Sequence, residues 1–386
     1  MYDLLVKGGT VIDPSQGLES VGDIAINHGK VVAFGTAIPV TTAREVIDAT
    51  GLLVTPGLID IHVHIYEGVT HLGVNADVNC LNKGVTSVID AGSSGAQTFP
   101  GLRKYIIGVS RTRILAYLNL SDLGMVTENA GELEDLRYAD TKAALRMIEA
   151  NRDIILGVKV RMDRRYLGEN GTEVLKLARA TAEAAALPIM FHIGETSPPL
   201  PRILAEAQAD DVITHCFTSR PGGILDEERR ILPDVLKAVQ RGVLFDVGHG
   251  VGSFSFRVAR QAMAQGFTPA TISSDLHALN VAGPVFDLVT TMSKFLYLGV
   301  SLSKVIEMTT LKPARLIRME KDLGTLRAGA YADLTLLKLL DGPCSLSDAG
   351  RGVPVETVVA DQILAAAGAV RDGQLIFFHP ASRSTV

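Results

Sequence analysis

Residues 58–67 read LIDIHVHIYE: two histidines, one residue apart, end an apolar run that follows Thr55-Pro56-Gly57. In a strand, side chains at i and i+2 point the same way. The spacing therefore sets Asp60, His62 and His64 on one side and Ile59, Ile61 and Val63 on the other. An apolar strand that ends in two imidazoles needs a polar centre for them to face.

Runs of the same kind recur along the chain. After LIDIHVH come VTSVIDAG, RILAYLNL, ILGVKVRM, LPIMFHIGE, DVITHCF, VLFDVGHG and TPATISSDLH, each followed by a helical stretch or a long loop. Eight buried parallel strands with intervening helices over about 250 residues make an α/β fold of the (β/α)8 TIM-barrel type, whose site lies at the C-terminal strand ends. A doubly wound open sheet is the alternative, but no Gly-rich dinucleotide fingerprint follows the first run. Both chain ends read as short alternating strands with Gly, Asn and Asp turns (LLVKGGTVI and DIAINHGKVVAFG near the start, ADLTLLKL and VETVVADQIL near the end). The expected division is a catalytic barrel over 55–324 and one small β-sandwich built from 1–54 and 325–386.

Composition narrows the function classes. The 386 residues, 47% hydrophobic, can bury a large core and a smaller one. A net charge of −5 with no long basic run gives no support for nucleic acid or anionic lipid as a partner. No apolar run approaches the ~20 residues that cross a bilayer. The N-terminus alternates like a strand and lacks the pattern of a signal peptide, so the expected location is the cytoplasm. Cys80, Cys216 and Cys344 stand far apart without a CxxC pair, which argues against a disulfide framework or a zinc ribbon.

The strand ends carry the chemistry. His62 and His64 end the first strand, Lys159 and Arg161 the fourth, His192 the fifth, His215 the sixth, and Asp275 the eighth. One such histidine is ordinarily a hydrogen-bonded core residue. Four histidines, an aspartate and a lysine at one barrel mouth form a ligand set for divalent metal.

These residues carry a resemblance. PGLIDIHVH, the lysine of GVKVR, the histidines of MFHIGE and ITHCF, and the aspartate of SSDLH resemble the metal-binding pattern of the amidohydrolase superfamily, over essentially the whole chain. The resemblance implies two metals, with His62, His64 and Asp275 on the more buried one and His192 and His215 on the more exposed one. It also implies a carboxylated Lys159 that bridges them. Zinc is the expected ion, since imidazole and carboxylate ligands suit it.

Lys159 supports this independently. An unpaired ammonium on an inward strand, beside two dications, would suffer desolvation and repulsion. A neutral amine could react with carbon dioxide to give an anionic carbamate. The alternative is a lysine that snorkels to solvent or pairs with Asp163. Two divalent ions would make hydroxide available at neutral pH, with Asp275 passing its proton to the leaving group. Asp275 could also be a purely structural ligand or a helix cap.

Three rivals stand beside hydrolysis. His192-Ile-Gly-Glu195 has the H-x-x-E spacing that resembles mononuclear deaminases, which leaves Lys159 without a role. A silent scaffold on the same barrel would not need the complete ligand set. A dihydroorotase typically has an arginine two residues after the H-x-H pair, where this chain has Tyr66. EGVTHLG, DVGHG and GSFSF resemble instead the dihydroorotase-like deacetylases, which implies removal of an acyl group from an α-amino or α-hydroxy acid. The expected partner is a small, carboxylate-bearing substrate, with a homo-oligomer left open. Arg161 shares Lys159's strand face nearer the mouth and is the first candidate to grip that carboxylate; pairing with a loop acid is its alternative. Arg164, Arg165, Arg220 and Arg257 are held in reserve. His249, at the end of the seventh strand, is a candidate substrate contact, while His71, His277, His28 and His379 are expected at the surface or in supporting positions.

Overall fold

The computed structural model describes residues 1–128 and 132–379. The N-terminal part gives five strands, β1 (Tyr2–Asp13), β2 (Leu18–Asn27), β3 (Lys30–Gly35), β4 (Ala43–Asp48) and β5 (Leu53–Pro56). Seven parallel strands follow: β6 (Leu58–Val63), β7 (Val85–Ala91), β8 (Arg113–Asn119), β9 (Ile155–Arg161), β10 (Ile189–His192), β11 (Val212–Thr214) and β12 (Leu244–Asp246). The C-terminal part adds β13 (Leu334–Ser347), β14 (Thr357–Arg371) and β15 (Gln374–Phe378).

The seven central strands pair in chain order, β6 next to β7 through to β12. Their residues are buried almost throughout, as in strands covered on both faces. The helices between them are amphipathic. In the helix Gly171–Ala185, Val174, Leu175, Ala178 and Ala182 form one buried stripe at helical spacing. Asp140 caps the helix Thr141–Ala150 by accepting from Ala143 N–H.

The expected eighth strand is not a regular one. Residues 270–276 close the ring through two isolated parallel bridges, Asp246 with Thr271 and Val63 with Leu276. His249 N–H donates to Ser273 O at 3.2 Å, Gly250 N–H to Ser274 O at 3.0 Å, and His64 N–H to Leu276 O at 3.0 Å. Asp275 has φ +48°, which breaks the pleat where a continuous strand would turn its side chain elsewhere.

The strict alternation expected for β6 also fails. Its pairing with β7 shifts register between Asp60 and Val63. Ile59 and Ile61 join an apolar cluster with Tyr117, Met190 and Val212, whereas Val63 belongs to the main core. Asp60 is drawn off to the Ser274 N–H and hydroxyl.

The strands from the two chain ends form one hydrogen-bonded sheet, in the order β15-β14-β13-β5-β1-β2-β3 with β4 on β1. It has its own apolar cluster, in which Val6, Ile24, Ile26, Val54, Leu334, Leu336 and Val370 meet. The loop between β13 and β14 leaves this sheet and lies on the barrel. Ala349 N–H donates to Phe254 O at 3.0 Å, Asp348 accepts from Phe256 N–H at 3.1 Å, and Arg260 pairs with Glu356. Among the described residues no helix is long and apolar enough to cross a membrane.

Candidate metal centre and active site

Parallel pairing sets the functional side chains at one end of the barrel. Lys159 pairs in register with Met190 and Arg161 with His192. His62, His64, Lys159, His192, His215 and Asp275 all line a single cavity there.

Within it, Asp275 Oδ1 lies 3.3 Å from both His62 Nε2 and His64 Nε2. One ligand atom each of His62, His215 and Asp275 falls within 4.8 Å of the others, a spacing that could hold a metal ion. His215 Nε2 is 2.9 Å from His192 Nδ1.

Hydrogen bonds outside the cavity set the tautomers. Thr214 Oγ1 donates its only proton to Asp246 at 2.8 Å, so toward His62 Nδ1, 2.9 Å away, it can only accept. That places the proton on His62 Nδ1 and leaves the Nε2 lone pair facing the cavity. The Gly248 carbonyl, 2.7 Å from His215 Nδ1, acts in the same way on His215. His64 Nδ1 meets Ser93 Oγ at 2.9 Å. Asp246 gathers the outer layer, accepting also from Thr271 Oγ1 at 2.7 Å and Ser273 Oγ at 2.6 Å.

Burial keeps the imidazoles neutral. It pushes His64 down to about 3 and His215 down to about 4, and holds His62 and His192 well below the ordinary histidine range. The close approaches to Asp275 are therefore not ion pairs. With its proton on Nδ1, His62 turns an Nε2 lone pair toward the Asp275 carboxylate, a repulsive contact that a bound cation relieves. Two further atoms point the same way: Lys159 Nζ and His192 Nε2 are buried without a hydrogen-bond partner among the described residues. Burial pushes Lys159 down to about 8, against the opposing pull of Asp275 and Asp246. The donor set fits divalent metal.

Asp275 is held in its left-handed conformation by Asn280, whose side-chain N–H donates to Asp275 O at 2.7 Å and whose carbonyl accepts from His277 N–H at 2.9 Å.

The other candidates separate. Arg161 lines the cavity but is ion-paired to buried Glu132, and its guanidinium lies 3.3 Å from the Tyr166 ring centroid. Arg165 and Arg220 also line the cavity, whereas Arg164 pairs with Glu169 outside it and Arg257 lines a neighbouring hollow. His249 does not reach the cavity. Its Nδ1–H faces Gly250 O at 2.9 Å, its Nε2 accepts from Lys294 Nζ at 2.7 Å, and its ring stacks on Phe254. The expected substrate contact at His249 is thus replaced by a buried contact behind the wall, because the side chain turns back toward the helix Leu288–Tyr297 that carries Lys294.

Glu195 sits at a positive φ and lines an adjoining hollow with Pro199 and Leu200 rather than the histidine cavity. Tyr66 turns away to donate to Thr98 O at 2.9 Å. His71 and His277, expected as surface or supporting residues, line the cavity, as does Arg351 from the β13–β14 loop. His277 carried a usable signal, two residues after Asp275. Arg351 carried none.

Comparison with known proteins agrees with this architecture. The model of the amidohydrolase family matches residues 53–373. A deacetylase of Agrobacterium fabrum is 36% identical over 337 residues, 87% of this chain and 83% of its own. A crystal structure of an adenine deaminase superposes with a TM-score of 0.90 at 34% identity, covering 98% of this chain and all of that one. A crystal structure of a dihydroorotase does so with a TM-score of 0.89 at 34% identity, covering 98% of each. Matched along most of its length by the family pattern and by these relatives, the chain belongs to the amidohydrolase family and is a hydrolase of that group.

Proposed function

We propose that this chain is a two-metal hydrolase that removes the acyl group from an N-acyl amino acid or an O-acyl α-hydroxy acid. The observation that carries the reading is Lys159 Nζ, buried and without a hydrogen-bond partner among the described residues, in the cavity that also holds His62, His64, His192, His215 and Asp275. A bare ammonium there costs several kcal/mol, and a carbamate formed from the neutral amine and carbon dioxide removes that cost. His62, His64 and Asp275 would hold one ion, His192 and His215 the other, with the Lys159 carbamate between them and zinc the ion of choice. Divalent ions held there supply Lewis acidity and acidify water at neutral pH.

The protein's own part is proton transfer and orientation. Asp275, braced through its backbone by Asn280, offers a carboxylate oxygen to take a proton and hand it to the leaving amine or alkoxide. Arginines in the lining favour a substrate that bears a carboxylate. Relatives named deacetylase support acyl removal. Two placements disfavour the rivals: Glu195, which deamination would need beside the cluster, faces the adjoining hollow, and Tyr66 stands where a dihydroorotase carries its arginine.

The test is a library of N-acyl amino acids, O-acyl hydroxy acids, dihydroorotate and adenine, offered to zinc-loaded protein prepared with bicarbonate. Release of free carboxylic acid from acyl compounds is expected. Ammonia from adenine, or ring opening of dihydroorotate as the dominant activity, would sink the proposal.

A further inference from the structure

The arginines of the cavity are not equally free. Arg161 has a buried partner of its own in Glu132, which also accepts from Asn119 Nδ2 at 3.0 Å. Arg165 and Arg220 must share one carboxylate, that of fully buried Asp163. The Arg220 side chain is 8% exposed, its Nη1 donates to Asp163 at 3.1 Å, and its buried Nε has no partner among the described residues. Its Nη2 faces Gly252, where an added Cβ would lie 3.2 Å from it. The same point lies 3.4 Å from Arg351 Cβ and 3.6 Å from Arg351 Cδ. Arg351 has no ion pair among the described residues, and Ser219 Oγ, donating to Arg351 O at 3.1 Å, holds its backbone in place. Of the nearby acids, Glu195 faces the adjoining hollow, and Glu128 and Asp275 are the carboxylates in the cavity lining. Arg220 and Arg351 thus pack beside the same bare glycine and both line the cavity, with a share of one carboxylate, that of Asp163, as the ion pair between them.

We propose that Arg220 and Arg351, side by side at Gly252 in the cavity lining, form the subsite that holds the substrate's carboxylate. The loop of the terminal sheet is then a specificity element of the barrel's site. A planar guanidinium grips a carboxylate with two parallel hydrogen bonds. The subsite lies in the same cavity as the metal-ligand set, so an acyl group on the α nitrogen or oxygen can reach Asp275 while the carboxylate stays outside the ligand cluster. This rests on the acyl-hydrolase reading for the identity of the ligand.

The experiment uses ligands that have no hydrolysable bond. Phenyllactate and 3-phenylpropane-1,2-diol, which differ only in the carboxylate, are titrated calorimetrically into the full-length zinc-loaded protein. Wild type is expected to prefer phenyllactate. Arg351→Met should weaken phenyllactate about tenfold or more and leave the diol unchanged, as befits loss of a charge-assisted hydrogen bond. Arg351→Lys should recover part of the loss, because charge remains without the fork. Arg351 is exposed at a loop, so this variant tests the proposal even where Arg220→Met does not fold. Equal weakening of both ligands, no change in either, or a charge-selective loss in Arg161→Met alone would overturn it. Acyl hydrolysis is scored separately. Selective phenyllactate binding without hydrolysis of any acyl acid retains the subsite and rejects the hydrolase reading, and hydrolysis with an Arg351→Met variant indifferent to charge does the reverse.

Discussion

Gly250 and Asp275 approach so closely that a Cβ at residue 250 would lie 2.4 Å from Asp275 Oδ2, and Gly250 holds φ +57°. The loop after β12 therefore forms the floor against which the carboxylate rests. Gly250→Ala must both strain the backbone, at about 1–2 kcal/mol, and push Asp275 out of place. A fall in kcat of about 10²-fold is expected with a modest drop in melting temperature. Unchanged kcat in a folded variant would show that the carboxylate tolerates displacement.

Asp275→Asn keeps the shape and removes the proton acceptor. With metal content retained, kcat should fall by at least ~10²-fold, the contribution of a general acid–base group. Near-normal turnover at full metal occupancy would leave Asp275 a ligand only.

Thr214→Val removes the acceptor that fixes His62 Nδ1 and one of the donors to Asp246. Metal affinity, measured by competition with a chelating dye, should weaken by about 10–100-fold, as for other residues that orient metal-bound imidazoles. Equal affinity in both proteins would mean that Ser273 and Thr271 hold the network without Thr214.

Lys159→Met removes the amine on which the proposed carbamate would form. Elemental analysis of wild type loaded with zinc and bicarbonate should approach about two ions per chain. The variant should hold fewer, and the intact mass of wild type should show a carbon dioxide adduct at neutral pH that acid removes. One ion per chain with an unmodified lysine would favour mononuclear chemistry.

Lys294 provides a pH prediction away from the ligands. Burial pushes its amine from the usual 10.5 down to about 7, while the unfolded chain keeps the proton up to about 10.4. Between those values the unfolded state binds more protons, so this group makes stability rise with pH; below about 7 the cost of the buried ammonium is present in full. Lys294→Met removes that dependence. Urea unfolding at pH 7, 8.5 and 10 should give a shallower rise for the variant than for wild type, and parallel curves would contradict the depressed amine.

Local periodicity along the chain accounts for the barrel and for where its chemistry lies. Eight apolar runs and the i, i+2 spacing of His62 and His64 suffice for the barrel and for the end where chemistry gathers. Lys159 and His192 follow because a strand's last residues open onto that end, whereas His215 and Asp275 lie just past regular pairing, each at a positive φ. Whatever depends on which distant group answers comes only from the packed chain. The register shift after Asp60 sends that carboxylate to Ser274, and no pattern within β6 encodes it. The eighth segment closes the ring as an irregular bend because Asp275 must turn inward while Ser274 bonds to Asp60. Arg161 is neutralised by Glu132 and His249 is claimed by Lys294 from 45 residues away, each partner lying on another element. Arg351 reaches the cavity only because the hairpin of the terminal sheet folds onto the barrel. Strand period is a property of a few adjacent residues, whereas the pairing of buried charges and the paths of loops minimise the free energy of the whole packed chain.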